Sequence, residues 1–275
     1  MNGDPVILVT GASGAVAGAL MDRTVGQGVR VLAVSSHGPQ HSWPHVTWFE
    51  QDLERGPADV RAGTLVSLGA LRHALAQVER GIGTGRVLAV SPALGEQLAL
   101  VRGRKLTESD RELPQIEDRL RAACRERDIT LTLLKPSLVY SGGDDGSFAP
   151  TAWSLSQRSV LWLGQGGLRQ PVHADDLASL ILRCLQLGDD SAGSWSLAGD
   201  ETLSIAAMLE RVASRFGVPI RRLPVPAWWA RRSLDTLDLS PALRVDLAGL
   251  YGHDLLPDDS PARRRLGWQP QGFRP

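Results

Sequence analysis

The sequence of 275 residues is poor in several features that mark particular classes of protein. Its 30 Lys and Arg residues balance its 30 Asp and Glu residues, so no net charge favours nucleic acid or an anionic membrane. It has two cysteines, Cys124 and Cys184, in segments of helical periodicity, which indicates buried thiols in a reducing compartment rather than a disulfide. No stretch reaches the roughly 18 consecutive apolar residues of a membrane span.

The amino terminus also lacks the basic region, apolar core and small-residue cleavage site of a secretory signal, so we expect a cytoplasmic protein. His37, His41 and His45 are spaced four apart, as helical metal ligands would be. Pro39 and Pro44 interrupt that spacing, and no cysteine or carboxylate joins it. We therefore expect a polar loop there and no metal site.

The first segment with a clear pattern is a glycine turn near the amino terminus. An apolar run at residues 6–9 leads to Gly11 and Gly14, and then to apolar residues at helical spacing, which predicts a strand, a turn and a helix. Gly11 allows the bend, Gly14 leaves room for a ligand, and the free N–H groups of the first helical turn favour an anion. Ala17 fits the third small position of the dinucleotide fingerprint. Small residues also pack helices closely, so this turn alone does not decide between the two readings.

Strands alternate with helices along the first half of the chain. Further strands are predicted at residues 29–34, 46–49, 64–69 and 86–91, with a helix at residues 70–80. This order predicts an α/β fold with a Rossmann-type, doubly wound parallel sheet. We assign residues 1–141 to that domain, with a returning strand and helix near residues 168–187, and residues 142–275 mainly to a small C-terminal substrate lobe.

Short motifs follow the successive strands, and together they span nearly the whole chain. They are Thr10-Gly11-Ala12-Ser13-Gly14, Asp52-Leu53, Leu68-Gly69, Ser91, Lys135-Pro136 with Tyr140, Pro171-Val172-His173 with Asp176, and Leu266-Gly267-Trp268. In this order the motifs resemble extended short-chain dehydrogenases/reductases of the NAD(P)-dependent epimerase/dehydratase type, in particular their atypical, shortened members. Extended members commonly act on nucleotide sugars.

The resemblance implies a nicotinamide dinucleotide at the carboxyl edge of the sheet. Asp52 would bond the adenine amino group, Ser91 would face the nicotinamide, and Pro136 and Ser137 would close over its carboxamide. As purely structural alternatives, Asp52 caps a turn and Ser91 ends a strand. The positions expected at the cofactor are Gly11, Ser13, Gly14, Ala15, Val16, Ser35, Ser36, Asp52, Leu53, Leu68, Gly69, Ala70, Ser91, Pro136 and Ser137.

The end of the second strand normally discriminates between the two dinucleotides. An acid there bonds the ribose 2′-hydroxyl, and a nearby arginine accepts a 2′-phosphate. This chain has neither, but Ser35, Ser36 and His37 can donate to a phosphate without repelling it. We therefore predict a slight preference for NADP(H) over NAD(H).

Catalytic members of the family carry a Tyr-x-x-x-Lys pair, in which tyrosine is the general acid or base and lysine lowers its pKa. No such pair occurs in this chain. Alignment on Glu117, which resembles a glutamate four residues after the lysine, puts Ser109 and Leu113 at the two positions. The two lysines of the protein, Lys105 and Lys135, lie outside that helix, so neither replaces the missing one by register.

Two functions stay open. In one, the protein is an oxidoreductase or epimerase on a carbonyl or nucleotide-sugar substrate, and Ser91 or another group, such as Tyr140, Asp110 or Glu112, serves the chemistry. Tyr140 as a core aromatic is the favoured reading of that residue. In the other, the protein is a catalytically silent NAD(P)(H)-binding redox sensor or complex-stabilising subunit. The substrate and a homo-oligomeric state are left open, and no nucleic-acid or membrane partner is expected.

Four tryptophans are unusual in a chain with 5% aromatic residues. They are Trp153, Trp162, Trp228 and Trp229, all in the C-terminal part. Burial in the core of the lobe is the default expectation for them. A cover for the substrate cleft or an oligomer contact is the alternative for Trp228 and Trp229.

Overall fold

A seven-stranded parallel sheet forms the centre of the computed structural model, in the order β11-β6-β5-β4-β1-β2-β3. The structure describes residues 5–39, 41–81, 84–92, 108–143, 146–157, 160–239, 243–244, 247 and 251–275. The strands of this sheet are β1 (Val6–Thr10), β2 (Arg30–Ser35), β3 (Val46–Glu50), β4 (Thr64–Ser67), β5 (Arg86–Val90), β6 (Thr130–Pro136) and β11 (Gly193–Leu197).

Helices cover both faces of the sheet, as the alternation of elements predicts. The helices are α1 (Ala15–Thr24), α2 (Leu71–Glu79), α3 (Glu108–Glu126), α4 (Ala149–Ser156), α5 (Ala174–Leu187), α6 (Ile205–Arg215), α7 (Ala227–Asp235) and α8 (Ser260–Leu266). Leu20, Ile181 and Trp268, from α1, α5 and the segment after α8, share one apolar core on the sheet. Leu75 of α2 and Leu120 of α3 belong to a second core. The predicted Rossmann-type α/β class is confirmed.

The described residues between β2 and β3 include no helix. Residues 36–39 and 41–45 belong to a connection that contacts α1, where the indole N–H of Trp43 donates to Asp22 Oδ1 at 2.8 Å. His37, His41 and His45 contact three different partners, which are Ser36, the Trp43 ring and Thr24, respectively. The predicted polar loop is therefore present in this part of the chain.

The strand that returns to the sheet lies further along the chain than predicted. The prediction near residues 168–187 locates α5, which packs against α1, but the strand is β11, next to β6. The strands β9 (Leu168–Arg169) and β10 (Val172–His173) pair outside the main sheet, with β12 (Leu203–Ser204) and β7 (Val139–Tyr140). The five residues of β11 pair with residues 132–136 of β6, whereas β9 and β10 have two residues each. The Rossmann domain therefore also includes residues 174–197 and the C-terminal helix α8.

The remaining C-terminal elements form the small lobe around its own core, which includes Phe148, Leu209 and Leu234. The hydroxyl of Ser204 accepts from the N–H of Ala207 and caps α6. A parallel pair of short strands, β8 (Val160–Trp162) and β13 (Arg221–Leu223), lies beside α7. No helix in the described ranges is long and apolar enough to cross a membrane.

Candidate functional site

The turn after β1 and the turn after β4 touch at the carboxyl edge of the sheet. Gly11 has φ +72°, and a Cβ added to it would lie 2.5 Å from the backbone nitrogen of Gly69. A side chain at Gly11 is therefore excluded both by conformation and by space. This contact lies between β1 and β4, where the strand order reverses, which is the place where open α/β sheets bind ligands.

The first turn of α1 is open to a ligand. Gly14 is the N-cap in an extended conformation, no side chain caps the helix, and its first turn has no acid. The partial positive charge of the helix start is thus left uncompensated by the protein's own side chains. A Cβ at Gly14 would meet only the Gly11 carbonyl, at 3.5 Å, so the protein leaves that space free. This cradle fits a phosphate or pyrophosphate.

A cavity of about 180 Å³ adjoins the glycine turn on the β2 and β4 side. Its lining brings together eight of the positions predicted to hold the cofactor, and it adds three others. The eight are Gly11, Ser13, Ser35, Ser36, Asp52, Leu53, Gly69 and Ala70, and the three are Gln51, Glu54 and His73. Gln51 and Glu54 flank the Asp52-Leu53 motif, and that adjacency was the signal that could have found them.

Carboxylates at this cavity already have protein partners. Asp52 accepts from the N–H of Glu54 at 3.0 Å and lies 3.5 Å from Arg55, so it caps its own turn while lining the cavity. A hydrogen bond from Arg72 lowers the pKa of Glu54, which therefore stays ionised, and His73 contacts the same carboxylate at 3.2 Å. The role of Asp52 at an adenine stays a prediction.

The end of β2 presents hydroxyl groups without an acid. Ser35 is buried, and its hydroxyl accepts from the N–H of His37 at 3.3 Å. Ser36 is exposed, and its hydroxyl lies 3.0 Å from His37 Nδ1.

A larger cavity of about 720 Å³ opens on the other side of the glycine turn and is lined by Ser13, Trp43 and other residues.

The other predicted cofactor positions have mixed settings. Ala15 lines the larger cavity, whereas Val16 and Leu68 are partly buried against the apolar core. Pro136 ends β6 and is buried. Ser137 donates its hydroxyl to the carbonyl of Gln170 and its N–H to the carbonyl of Leu197, so its polar hydrogens are already used within the protein.

A buried polar network lies beyond β5, where the nicotinamide is expected. Ser91 is fully buried and donates its hydroxyl to Glu117 Oε1 at 2.7 Å. The other oxygen of Glu117 lies 3.0 Å from Arg121 and 3.5 Å from Lys135 Nζ. Sequence register alone does not reveal this group, because Lys135 comes from β6 and Glu117 from α3.

The positions of the missing pair offer no replacement in the described residues. Leu113, at the lysine position, is 8% exposed and belongs to the apolar core between α2 and α3. The side chains of Ser109 and Asp110, like all of Lys105, lie outside the described residues, and Glu112 is an exposed residue of α3.

Tyr140 lies in the core, which agrees with the interpretation of this residue as a core aromatic. Its ring contacts Phe148, His173 and Phe273, and its hydroxyl accepts from the N–H of Arg274 at 2.8 Å. Burial raises the pKa of Tyr140 to about 12. A phenol with that pKa is a poor proton acceptor near neutral pH.

A third cavity, of about 460 Å³, lies between the glycine turn and the small lobe. It is lined by Ala15, Ser141, Gly142, Gly143, His173, Ala174, Asp175, Arg215, Arg274 and Pro275. His173 caps α5 through Nδ1, which accepts from the N–H of Asp175 at 3.1 Å, and burial lowers the pKa of its ring.

Asp176 lies in the first turn of α5 but does not cap the helix. Asp176 is buried and accepts from the N–H of Gln271 at 3.0 Å and from the guanidinium of Arg274 at 2.8 Å. It thereby fastens the C-terminal segment over the third cavity. The cap itself is supplied by His173.

No protein-family model matches the chain. Among curated proteins, a UDP-glucose 4-epimerase from Vibrio cholerae is 23% identical over 167 residues, which is 58% of this chain and 49% of that protein. The match therefore spans about half the length of that relative.

Solved structures of epimerases share the fold over almost the whole chain. The UDP-glucose 4-epimerase of Thermotoga maritima, solved with UDP-glucose, has a TM-score of 0.69 at 16% identity, covering 96% of this chain and 93% of the other. The UDP-glucuronic acid 4-epimerase of Bacillus cereus in complex with NAD has 0.68 at 14%, covering 98% and 94%. The UDP-glucose 4-epimerase of Bifidobacterium longum in complex with NAD+ and UDP has 0.65 at 16%, covering 98% and 94%. The predicted resemblance to the epimerase/dehydratase type is thereby confirmed.

Proposed function

We propose that this chain binds a nicotinamide dinucleotide at the carboxyl edge of its sheet. The observation that carries the proposal is the uncapped start of α1 at Gly14, beside a cavity that contains Asp52 and Ser36. The pyrophosphate lies at the helix start and the adenosine in the cavity of about 180 Å³. The structural neighbours in complex with NAD support the same cofactor class. We retain the prediction of NADP(H) over NAD(H), which rests on Ser35, Ser36 and His37, and the prediction of a cytoplasmic protein.

The proposed activity is epimerisation or oxidoreduction of a nucleotide sugar or related carbonyl compound. Arg215 at the third cavity supports a phosphorylated substrate, because a guanidinium group binds phosphate oxygens in a bidentate manner. The cavity begins at Ala15, next to the cofactor cradle, which suits a substrate that reaches the nicotinamide from the lobe. The epimerases among the relatives support this class.

Turnover requires a proton acceptor as well as a hydride acceptor. The bound dinucleotide, in its oxidised form, supplies the hydride acceptor. For the proton, Ser91 passes its hydroxyl hydrogen to Glu117 while it takes the hydrogen of the substrate hydroxyl. Lys135 Nζ lies 3.5 Å from the other oxygen of the Glu117 carboxylate. Because Ser91 has no exposed surface, this route requires a local opening at the end of β5.

A catalytically silent dinucleotide-binding protein is the second candidate. Three observations favour it: Leu113 is apolar and buried, Tyr140 is held by Arg274, and Ser91 is closed off from solvent. None of these affects the cradle at Gly14. Binding and turnover therefore need separate measurements.

Binding is tested by thermal unfolding with NADP+, NADPH, NAD+ and NADH. A ligand at 100 times its Kd adds about 2.7 kcal/mol to the free energy of unfolding, so at least one of the four should raise Tm by several degrees. Gly14→Asp places a carboxylate at the anion cradle and should abolish the shift. Gly63→Asp adds the same charge at an exposed site near the other edge of the sheet, where a Cβ meets nothing within 4 Å, and should retain it. No shift with any dinucleotide, or an equal response of both variants, contradicts the proposed site.

Turnover is tested with UDP-sugars and a panel of carbonyl compounds, measuring both product formation and dinucleotide oxidation or reduction. We expect activity that falls by about 100-fold or more in Ser91→Ala and Glu117→Gln, with dinucleotide affinity unchanged. Tyr140→Phe should retain that activity. Binding without turnover supports the silent candidate, and activity that survives in Glu117→Gln rejects the proton route.

A further inference from the structure

A cluster of large apolar side chains is exposed on the small lobe, away from the roles proposed above. Trp228, Trp229, Trp162 and Leu223 are 68%, 45%, 40% and 40% exposed. We call these four residues, with the neighbouring Arg221 and Arg232, the tryptophan–arginine patch. The default expectation that the tryptophans fill the core of the lobe is wrong for these three and for Trp153, which is 65% exposed. Exposed apolar groups of this size, gathered in one place, mark a docking surface.

The members of the patch are held together by secondary structure. Trp162 of β8 lies opposite Leu223 in the parallel pair of β8 and β13, and α7 supplies Trp228 and Trp229. The rings of Trp162 and Trp229 stack at 5.6 Å with an interplanar angle of 4°, and those of Trp228 and Trp229 at 5.8 Å and 20°. The cluster is therefore a preformed projection from three elements rather than a set of independent side chains.

Basic residues dominate the segment that carries most of the patch. Residues 217–234 contain four arginines and no acidic residue, although the exposed Asp235 follows directly and the whole chain has no net charge. Arg222 is offset by Glu210 at 3.2 Å, whereas Arg221 and Arg232 are exposed. The balance of charge over the chain thus conceals a local basic surface beside the tryptophans.

This combination discriminates between occupants. A symmetric contact with a second copy would bring the two basic segments together, and like charges there oppose association. Nucleic-acid bases stack on free aromatic faces, but Trp162 and Trp228 already stack with Trp229, which reduces the aromatic surface available to bases. Indole rings with adjacent arginines suit the interface of an anionic bilayer, where the ring enters the headgroup region and the guanidinium meets lipid phosphate.

We propose that the tryptophan–arginine patch docks reversibly on an anionic lipid surface. Trp228, Trp229 and Leu223 enter the headgroup region, and Arg221 and Arg232 contact the anionic headgroups. The attachment is peripheral and depends on two contributions, apolar burial and local charge. It does not depend on the dinucleotide site.

The test is cosedimentation of the full chain with vesicles, together with its tryptophan emission. The vesicles are phosphatidylcholine alone or an equimolar mixture of phosphatidylcholine and phosphatidylglycerol. We expect binding to the mixture at low salt, with a shift of the emission to shorter wavelength, and little binding to phosphatidylcholine. Trp228→Ala with Trp229→Ala should abolish binding, and Arg221→Glu with Arg232→Glu should weaken it by about tenfold or more.

The control is Arg61→Glu with Arg264→Glu, which makes the same change of charge at exposed arginines outside the patch. It should bind like the unmodified chain, and all variants should keep their unfolding midpoint. Equal binding to both vesicles, equal weakening in the control, or no binding overturns the proposal. A concentration-dependent dimer that is lost in the double tryptophan variant also overturns it, and identifies a second copy as the occupant.

Discussion

At the end of the sheet edge where we propose the adenosine, the adenosine end, Gly11 and Gly69 meet, α1 starts without a cap, and Ser36 and Asp52 line an open cavity. At the end where we propose the nicotinamide, the nicotinamide end, Ser91 bonds to Glu117 beneath the surface. Polar groups have protein partners at both ends, but those of the adenosine end also face a cavity, whereas Ser91 has no exposed surface. We therefore expect dinucleotide binding and turnover to depend on separate parts of this edge.

The largest loss of stability is expected at the contact between Gly11 and Gly69, at the adenosine end. Gly11→Ala combines a left-handed φ of +72° with a Cβ 2.5 Å from Gly69 N, so we expect a loss of about 3 kcal/mol or more in the free energy of unfolding. The matched control is Gly18→Ala, where nothing lies within 4 Å and helix propensity favours alanine by about 1 kcal/mol. Urea denaturation measures both. A tolerated Gly11→Ala would mean that the two turns do not need to touch.

A smaller effect is expected where Asp176 fastens the C-terminal segment over the third cavity. Asp176→Ala removes the buried acceptor of Arg274 and of the Gln271 N–H, which should cost about 2 kcal/mol. Asp175→Ala, at a half-exposed carboxylate that lies 3.6 Å from Arg23, should cost about 0.5 kcal/mol or less. Dinucleotide affinity should stay unchanged in Asp176→Ala if the adenosine end dominates binding. A parallel loss of affinity would mean that the C-terminal segment contributes to dinucleotide binding.

The raised pKa of Tyr140 makes the free energy of unfolding depend on pH in the alkaline range. Its pKa is about 12 in the folded chain and about 10 in an unfolded one, so between these values the unfolded chain has released a proton that the folded chain still holds. Stability from this residue is therefore lost as pH rises from about 10 to 12, by roughly 1.4 kcal/mol per unit at most. Tyr140→Phe should flatten that part of the curve and cost about 1 kcal/mol at neutral pH.

Cys124 and Cys184 also contribute to the loss of stability at alkaline pH, because burial raises their pKa values to about 11. Their contribution begins at lower pH than that of Tyr140, since an unfolded thiol ionises before an unfolded phenol. The difference between the unmodified chain and Tyr140→Phe isolates the tyrosine. Identical curves above pH 10 would show that Tyr140 ionises as freely in the folded chain as in the unfolded one.

The smallest effect concerns discrimination at the end of β2. Ser36→Asp adds a carboxylate beside the expected ribose, so the ratio of NADP(H) to NAD(H) affinity should fall by about tenfold or more. Ser36→Ala is the uncharged control and should change the ratio only a few-fold. Titration calorimetry measures the four affinities. An unchanged ratio in Ser36→Asp would place the ribose away from Ser36.

The sequence alone predicts the local fold of the adenosine end, because the signals for it are local. Gly11, Gly14 and the periodicity around them predict the strand, turn and helix to within a few residues, and Asp52 and Gly69 follow their strands directly. The structure adds Glu54 and His73 to the same cavity.

The other end depends on contacts between distant segments. Lys135 meets Glu117 only because β6 and α3 pack side by side, and Asp176 meets Arg274 across 98 residues. The same applies to β11, whose place beside β6 follows from sheet pairing rather than from its own short pattern. Composition misleads at Trp228 and Trp229. Their apolar character predicts burial in the core of the lobe, but other residues fill that core and both tryptophans are exposed.

The most direct test of this contrast is calorimetric titration of the unmodified chain with the preferred dinucleotide, with its ADP-ribose half and with nicotinamide mononucleotide. We expect the ADP-ribose half, carrying the 2′-phosphate if NADP(H) is preferred, to bind within about tenfold of the intact dinucleotide, a difference of about 1.4 kcal/mol. Nicotinamide mononucleotide alone should bind too weakly to measure. Measurable binding of nicotinamide mononucleotide without binding of the ADP-ribose half would show that the adenosine end is not the main binding contact.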